Sequence, residues 1–328
     1  MPPQVIVITD PHDAHLPFVQ RHLTQPLIVI DPAALLNGKP LSFTFAGLSG
    51  ATKVSYGDVR LDGVSGIWYR KPQPIADELL PVENELKPYC RAALEKQFML
   101  LMTAFSHAVW VSPYYAALNA SSKLLQLQAA RRLGFAVPDT VFTGSTEVAR
   151  AFLAKHPRSI TKSIGNNSPT IQGERKVFLT TAVTPGTTPD LTNLHLAPAI
   201  FQEAIEAARD VRVTIVGNQV FPAYIESEHS KENAHVRDSR LGYYHGDVHL
   251  EAVTDFPKEV RDKCLAHTKA MGLTFSAIDL IQDQQGTFWF LENNANGQWA
   301  FVEEATGQPI GRAIADLLES GHKLGGST

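Results

Sequence analysis

Asp279, Glu292 and Asn294 are the residues of this 328-residue chain whose types and spacing best suit joint chemistry. Glu292 and Asn294 close the apolar run Phe288-Trp289-Phe290-Leu291, and Asp279 stands on the apolar run before it. Phe275 to Ile281 and Thr287 to Leu291 are β-prone and are separated by Gln282-Asp283-Gln284-Gln285-Gly286, the pattern of a hairpin. Side chains alternate along a strand, so Glu292 and Asn294 share a face, and a turn with an even number of residues brings Asp279 to that face. An odd turn sends Asp279 to the other side. Two carboxylates and an amide oxygen that converge suit a hard cation that keeps waters and binds phosphates, the usual Mg²⁺ arrangement, rather than zinc or an iron–sulfur cluster. The plainer alternative is a solvated hairpin end followed by an Asn/Gly-rich turn.

Composition narrows the partners. With 29 basic and 33 acidic residues the formal net charge is −4, which argues against a nucleic-acid binder held by bulk charge. Any anionic ligand must be held by a local cluster. A 44% hydrophobic chain of this length can bury a substantial core divided among about two or three domains. Cys90 and Cys264 have no CxxC spacing, so neither a disulfide scaffold nor a zinc module is expected, and a reducing cytoplasm fits. The start Met1-Pro2-Pro3-Gln4-Val5-Ile6 lacks a basic segment and a long apolar segment, and no apolar run approaches ~18 residues. Neither secretion nor a membrane span is expected.

The elements that must position the three oxygen ligands follow from periodicity. Val5 to Thr9 and Leu27 to Ile30 read as buried strands with a helix from His15 to Leu23 between them, and Gly66 to Pro72 as a third extended stretch. A helix is expected from Pro88 to His107, then a strand over Val109 to Ser112 that leads to a domain boundary at Pro113. Ser122 to Leu133 reads as a helix ended by Gly134, and Ser145 as the cap of a helix from Thr146 to Lys155. Ser159 to Lys162 is a strand entering the polar loop Ser163 to Ser168. After Pro198 the pattern becomes antiparallel, with Val211 to Val216 and Val220 to Glu226 joined through Gly217-Asn218. Ser227 to Asp247 is polar and carries Arg237, Arg240, His229, His235 and His245, without a zinc spacing. Helices from Pro257 to Met271 and from Pro309 to Glu319 complete the pattern.

No GxxxxGK[ST] loop and no GxGxxG after a strand is present, so phosphates would need other cations. Lys123 at a helix start and Lys162 at a strand end are candidates, although a lone lysine in either place is more often a surface charge.

The order of several segments resembles the ATP-grasp family. Asn119-Ala120-Ser121-Ser122-Lys123 precedes a helix, Gly134-Phe135-Ala136-Val137-Pro138-Asp139-Thr140 follows, and Thr161-Lys162 precedes a loop. Then come Phe201-Gln202-Glu203-Ala204-Ile205, Asp210-Val211-Arg212, and finally Asp279, Glu292 and Asn294. Within that family, Trp68-Tyr69-Arg70-Lys71-Pro72 and Glu292-Asn293-Asn294-Ala295-Asn296-Gly297-Gln298-Trp299 are similar to the maturases that make graspetides, the microviridin-type macrocycles, with Ala295 where a proline is common. Asp238-Ser239-Arg240 is similar to a short Asp-x-Arg element of the same enzymes.

The resemblance implies an α/β ATP-grasp fold: an N-terminal α/β domain over 1–113, a central α/β subdomain over 114–200, and a C-terminal antiparallel-sheet subdomain with the metal site over 201–328. It also implies roles. Lys123 and Lys162 would contact ATP phosphates, Gln202, Glu203, Ala204 and Ile205 would receive adenine, and Asp210 would hold ribose. Arg212, Arg240 and Lys162 would act at the transferring phosphate, and Mg²⁺ would sit on Asp279, Glu292 and Asn294. Arg70 and Lys71 would steer an acidic core peptide, against the alternative of an exposed basic pair. The implied activity is ATP-dependent closure of ω-ester or ω-amide bonds in a ribosomal precursor peptide, bound by leader and core, with the enzyme a homodimer. A ligase that adds free amino acids and a non-catalytic nucleotide-binding regulator are the other expectations.

Overall fold

Short β-branched runs pair into three main sheets in the computed structural model, which describes residues 3–48, 52–165, 170–171, 174–175, 180–184, 186–187, 189–227 and 248–324. Gln4–Ile8 lies between Leu27–Ile30 and Val64–Tyr69, with Val109–Val111 beyond, all parallel. Such a sheet needs cover on both faces, which explains its uninterrupted apolar runs. Ile6, Ile8 and Ile67 pack with Phe98 and Leu101 from the region of the helix Lys87–Met99. Val5, Val7 and Trp68 pack on the other side with Ala313, Ile314 and Leu318 of the C-terminal helix Ile310–Leu324. That helix approaches the sheet backbone to backbone: a Cβ on Gly66 would collide with the Leu318 carbonyl, and one on Gly321 with that of Ser65. The end of the chain thus completes the core of its beginning.

Several boundaries differ from expectation for local reasons. The first helix is only Leu16–Gln20, and the expected helix to His107 stops at Met99 before the short Leu101–Ala104. The last helix runs to Leu324 rather than Glu319, and Gly321 in its added turn lies against the Ser65 backbone. A three-stranded meander, Leu41–Phe45, Thr52–Tyr56 and Val59–Arg60, and the helix Ala300–Thr306, closed by Gly307 at φ 69°, lacked a clear periodic signal. No helix among the described residues is long and apolar enough to cross a membrane.

The central sheet is antiparallel in its described pairings, in the order Thr181–Val183, Ser159–Ser163, Ala199–Glu203, Thr140–Thr143. Ala199–Glu203 belongs to it by hydrogen bonding, so this sheet runs past residue 200. The Ser145 hydroxyl caps the helix Thr146–Lys155 by accepting from Val148 N–H at 3.3 Å. The third sheet is antiparallel, in the order Val248–Ala252, Gln219–Ser227, Ala207–Val216, Phe275–Asp283, Phe288–Asn294. One face buries Val211, Val213, Ile215, Ile278, Leu280 and Phe290 against Cys264 of the helix Lys258–Ala270. Cys90 and Cys264 are both free thiols.

The helix Lys123–Arg132 is joined to the edge strand Phe288–Asn294 by a buried polar clamp. The Gln126 amide donates to the Asn293 carbonyl at 2.8 Å and to the Ala120 carbonyl at 2.7 Å, while its oxygen accepts from Asn293 N–H at 2.9 Å. His267 completes the clamp: Nε2 lies 3.1 Å from the Gln126 carbonyl, which can only accept, so Nε2 carries the proton. Nδ1 then accepts from the Asn293 amide at 3.2 Å. Burial lowers the His267 pKa and outweighs the bond to Gln126, which favours the proton. The ring is neutral in the folded protein.

This has a consequence for stability against pH. The unfolded chain binds a proton at His267 below its ordinary value of 6.5, which the folded clamp resists, so stability falls as pH drops through that value. The loss can reach about 1.4 kcal/mol per pH unit for this group. We predict that urea midpoints of the wild type fall more than those of His267→Gln between about pH 7.5 and about pH 5.5. Equal falls in the two proteins would remove His267 from the account.

Candidate functional site

The turn of the C-terminal hairpin is odd, and a second irregularity corrects for it. Gln282 pairs with Phe288, and Asp283 N–H donates to Thr287 at 3.0 Å, leaving Gln284, Gln285 and Gly286 at the tip with Gly286 at φ 83°. In that register Leu280 faces Phe290, and Asp279 would face Leu291. Glu292 would then share the Phe290 face, in the apolar core. Instead the register shifts between Leu280 and Asp279, so Leu291 is absorbed as a β-bulge and Asp279 faces Glu292. Asn294 follows opposite Ala277. The three expected oxygen ligands share one face, through an odd turn plus a bulge rather than the even turn that alternation alone would require.

Arg212 extends the row. It is paired directly with Asp279, which is paired with Glu292, so three adjacent strands present the three side chains in line. Arg212 Nε donates to Asp279 Oδ1 at 2.6 Å, Nη2 to Oδ2 at 3.3 Å, and Nη1 to the Gln298 carbonyl at 2.9 Å. Lys123, one turn before Gln126 on its helix, donates from Nζ to Glu292 Oε2 at 2.5 Å. Asn294 Oδ1 accepts from Asn296 N–H at 3.0 Å.

The two carboxylates respond oppositely to this setting. Burial raises Asp279 and outweighs the Arg212 cation, and the Glu292 charge pushes the same way. Burial would raise Glu292 too, but Lys123, then Lys162, with the hydrogen bond from Lys123 and the charge of Arg212, hold it down at about 2. A donor set of two carboxylates and an amide oxygen, with Asn294 exposed to solvent, fits a hard dication such as Mg²⁺.

The central sheet contributes the far side. Lys162 Nζ lies 3.3 Å from Gln202 Oε1, and the Gln202 amide donates to the Thr140 hydroxyl at 2.8 Å. Gln202 is buried, and the chain then leaves the sheet with Glu203 N–H donating to Asp139 at 2.9 Å and Ala204 N–H to Arg158 at 3.1 Å. The expected adenine segment, Gln202 to Ile205, therefore sits at the sheet exit, one lysine away from the carboxylates. Asp210 lies two residues before Arg212 on the same strand face, opposite Ile281. Arg240, together with Arg237, His229, His235 and His245, lies outside the described residues, as does part of the loop after Lys162.

Arg70 is buried, 1% exposed, and so neither faces a core peptide nor forms an exposed basic pair with Lys71. Its Nη1 donates to the Asn296 carbonyl at 2.5 Å and its Nη2 to Gln298 Oε1 at 2.8 Å, while Asn296 Nδ2 donates back to the Arg70 carbonyl at 2.5 Å. Asp13 Oδ2 lies 3.6 Å from Arg70 Nε, and His15 Nδ1 lies 2.8 Å from Asp13 Oδ1. His15 Nε2 accepts from Trp299 N–H at 3.1 Å, so Nδ1 is the protonated nitrogen and donates to Asp13. Burial lowers His15, more than the hydrogen bond to Asp13 raises it, which agrees with a neutral ring. Burial alone would raise Asp13, but the His15 hydrogen bonds and the Arg70 charge hold it well below the usual carboxylate range. Lys71 beside them is exposed as a residue, but burial around its ammonium, then the Arg70 charge, lowers it to about 8.

Asp13, His15, Gln126 and His267 were missed from sequence. The spacing of Gln126 to Lys123 on one helix was the available signal; the others are brought in only by tertiary packing.

A family model described as the RimK-like ATP-grasp domain matches residues 120–318, which span Lys123 to Asn294. A probable alpha-L-glutamate ligase of Vibrio parahaemolyticus is 24% identical over 264 residues, 76% of this chain and 78% of that one. The Chryseobacterium gregarium RiPP-associated ATP-grasp ligase, solved with ADP and a leader and core peptide, superposes with a TM-score of 0.84 at 24% identity over 96% of both chains. The macrocyclase MdnC of Microcystis aeruginosa, bound with precursor peptide MdnA, gives 0.80 at 24% identity over 96% of this chain and 98% of that one. The fold is the expected ATP-grasp fold, and by the matched domain the chain belongs to the RimK-like ATP-grasp family of ligases.

Proposed function

We propose that this protein closes ω-ester or ω-amide bonds within a ribosomal precursor peptide at the expense of ATP. The observation that carries this reading is that the likeness to ligases solved with leader, core or precursor peptides extends over nearly the whole chain, N-terminal sheet included. In this reading Lys123 and Lys162 hold phosphates, Gln202 to Ile205 receive adenine, Asp210 holds ribose, and Arg212, with Arg240, faces the transferring phosphate. Asp279, Glu292 and Asn294 would hold Mg²⁺, which when bound offsets charge on phosphate oxygens.

The chemistry needs positive charge and orientation, not a protein nucleophile. A peptide carboxylate is a poor acyl donor because its leaving group would be an oxide. Its attack on the γ-phosphorus of ATP displaces ADP and yields an acyl phosphate. A Ser/Thr hydroxyl or Lys amine of the same peptide then attacks the acyl carbon, loses its proton and expels phosphate. Lys123, Lys162 and Arg212 stabilise the charge that develops on phosphoryl oxygens. The exposed Lys71 steers the acidic core, and Arg70 instead holds the Asn296–Gln298 loop. The working unit is a cytoplasmic homodimer that binds leader and core.

Addition of free amino acids is the second reading, favoured by the glutamate-ligase relatives. Mass spectrometry after incubation with ATP, Mg²⁺ and an acidic precursor separates the two, since ring closure loses one water per bond and amino-acid addition gains mass. Only the loss supports the first reading. We predict that Glu292→Gln and Asp279→Asn lower turnover by about a hundredfold or more with the fold retained; wild-type turnover in either would refute their role, and ATP hydrolysis that depends on Glu292 excludes a non-catalytic regulator. Lys162→Ala is expected to weaken ATP binding by about tenfold, read by calorimetry, and unchanged affinity would count against the phosphate assignment.

A further inference from the structure

A cleft of 430 Å³ opens beside the Lys123–Glu292 pair, and none of its lining residues comes from the central sheet or the adenine segment. It faces the N-terminal sheet instead. Tyr69, at the end of the strand Val64–Tyr69, meets Tyr114 edge to face with ring centroids 4.9 Å apart. Leu118, one turn after Tyr114 on the short helix Tyr114–Asn119, lines the cleft although 58% exposed, and Ala117 and Ala295 keep the space open. Burial pushes the Tyr69 phenol up to about 12, so that wall stays neutral.

The charge pattern decides what such a cleft can take. Lys123 and Glu292 are the two charged residues that line it, and they pair with each other; the rest of its polar lining, Ser121, Gln126, Asn293, Asn294 and Asn296, is neutral. A charged side chain, or a free amino acid with its ammonium and carboxylate, would lose water there without gaining a counterion. An aromatic or large aliphatic side chain loses nothing comparable and gains contact with the tyrosine faces and Leu118. We infer that this cleft is a subsite for an aromatic or large aliphatic side chain of the acceptor peptide, adjoining the residue whose carboxylate is activated. The inference rests on the proposed peptide reading and adds a sequence preference to it.

The probes are the N-acetyl amides of phenylalanine, leucine, aspartate and lysine, titrated by saturation-transfer NMR against the full chain loaded with ADP and Mg²⁺. The phenylalanine and leucine amides should bind about tenfold more tightly than the other two. Ala117→Trp, which fills the space, should abolish that preference, and Leu118→Asp, at an exposed position that tolerates change, should weaken phenylalanine amide and strengthen lysine amide. ADP affinity should stay at the wild-type value in both, which also reports that they fold. Absence of binding, equal binding of the four probes, or a preference unchanged in Leu118→Asp would each overturn the subsite. The two levels separate: preference for phenylalanine amide without cyclisation of any acidic precursor leaves the subsite standing and sinks the macrocyclase reading, and cyclisation without that preference does the reverse.

Discussion

One extra residue in one strand governs this site. Leu291 opposes nothing across the C-terminal hairpin, and that shift turns Glu292 from the apolar face shared by Phe290 to the face of Asp279. Alternation leaves no intermediate choice, since a strand residue points to one face or the other. A carboxylate directed into the Phe290 core would meet no counterion and a large desolvation cost. With the bulge, Glu292 instead meets Lys123, and Asp279 meets Arg212 across the neighbouring strand. Every role assigned to the row depends on this parity.

Around that row the protein has placed two buried polar frames that differ from it in exposure. On the core side, Gln126, Asn293 and His267 lock the helix bearing Lys123 to the strand bearing Glu292. On the other side, Arg70, Asp13 and His15 hold the Asn296–Trp299 backbone against the N-terminal sheet, and the C-terminal helix packed on that sheet closes the connection. Removing one member of a buried charged set of this kind costs about 3–5 kcal/mol, because the partner is left without compensation. Fixing the loop through such groups gives it one conformation. That fixity is what lets Arg212 bond at once to Asp279 and to the Gln298 carbonyl.

What could be read in advance follows from what is local. Asp279, Glu292 and Asn294 were legible as candidates because strand alternation and residue chemistry are properties of one short stretch, 279–294. The helix at Lys123, ended by Gly134, and the Ser145 cap were legible for the same reason, each resting on signals within its own element. The bulge was not, because its cost is repaid by contacts of Glu292 with a helix some 169 positions away in the chain. Arg70 was misread for the converse reason: a basic pair before a proline looks solvated until the Asn294–Trp299 loop and Asp13 arrive from elsewhere to cover it. Gln126 and His267 are ordinary helix residues until they face one another.

The contrast in burial between the frames and the row bears on how the site works. Arg70 and Asp13 have side chains 2% and 10% exposed, whereas Lys123 and Glu292 are 29% and 34% exposed. An ion pair open to water to that degree is worth about 0–1 kcal/mol, so it can be exchanged at little cost. In the proposed reading Lys123 would turn from Glu292 toward a phosphate oxygen, and the clamp of Gln126 and Asn293 behind it keeps its helix against the strand. A pair as buried as Arg70 and Asp13 would instead leave an uncompensated charge on separation, at about 3–5 kcal/mol. The same strand thus carries Asn293, held in the buried clamp, between Glu292 and Asn294, the two proposed metal ligands on the open face.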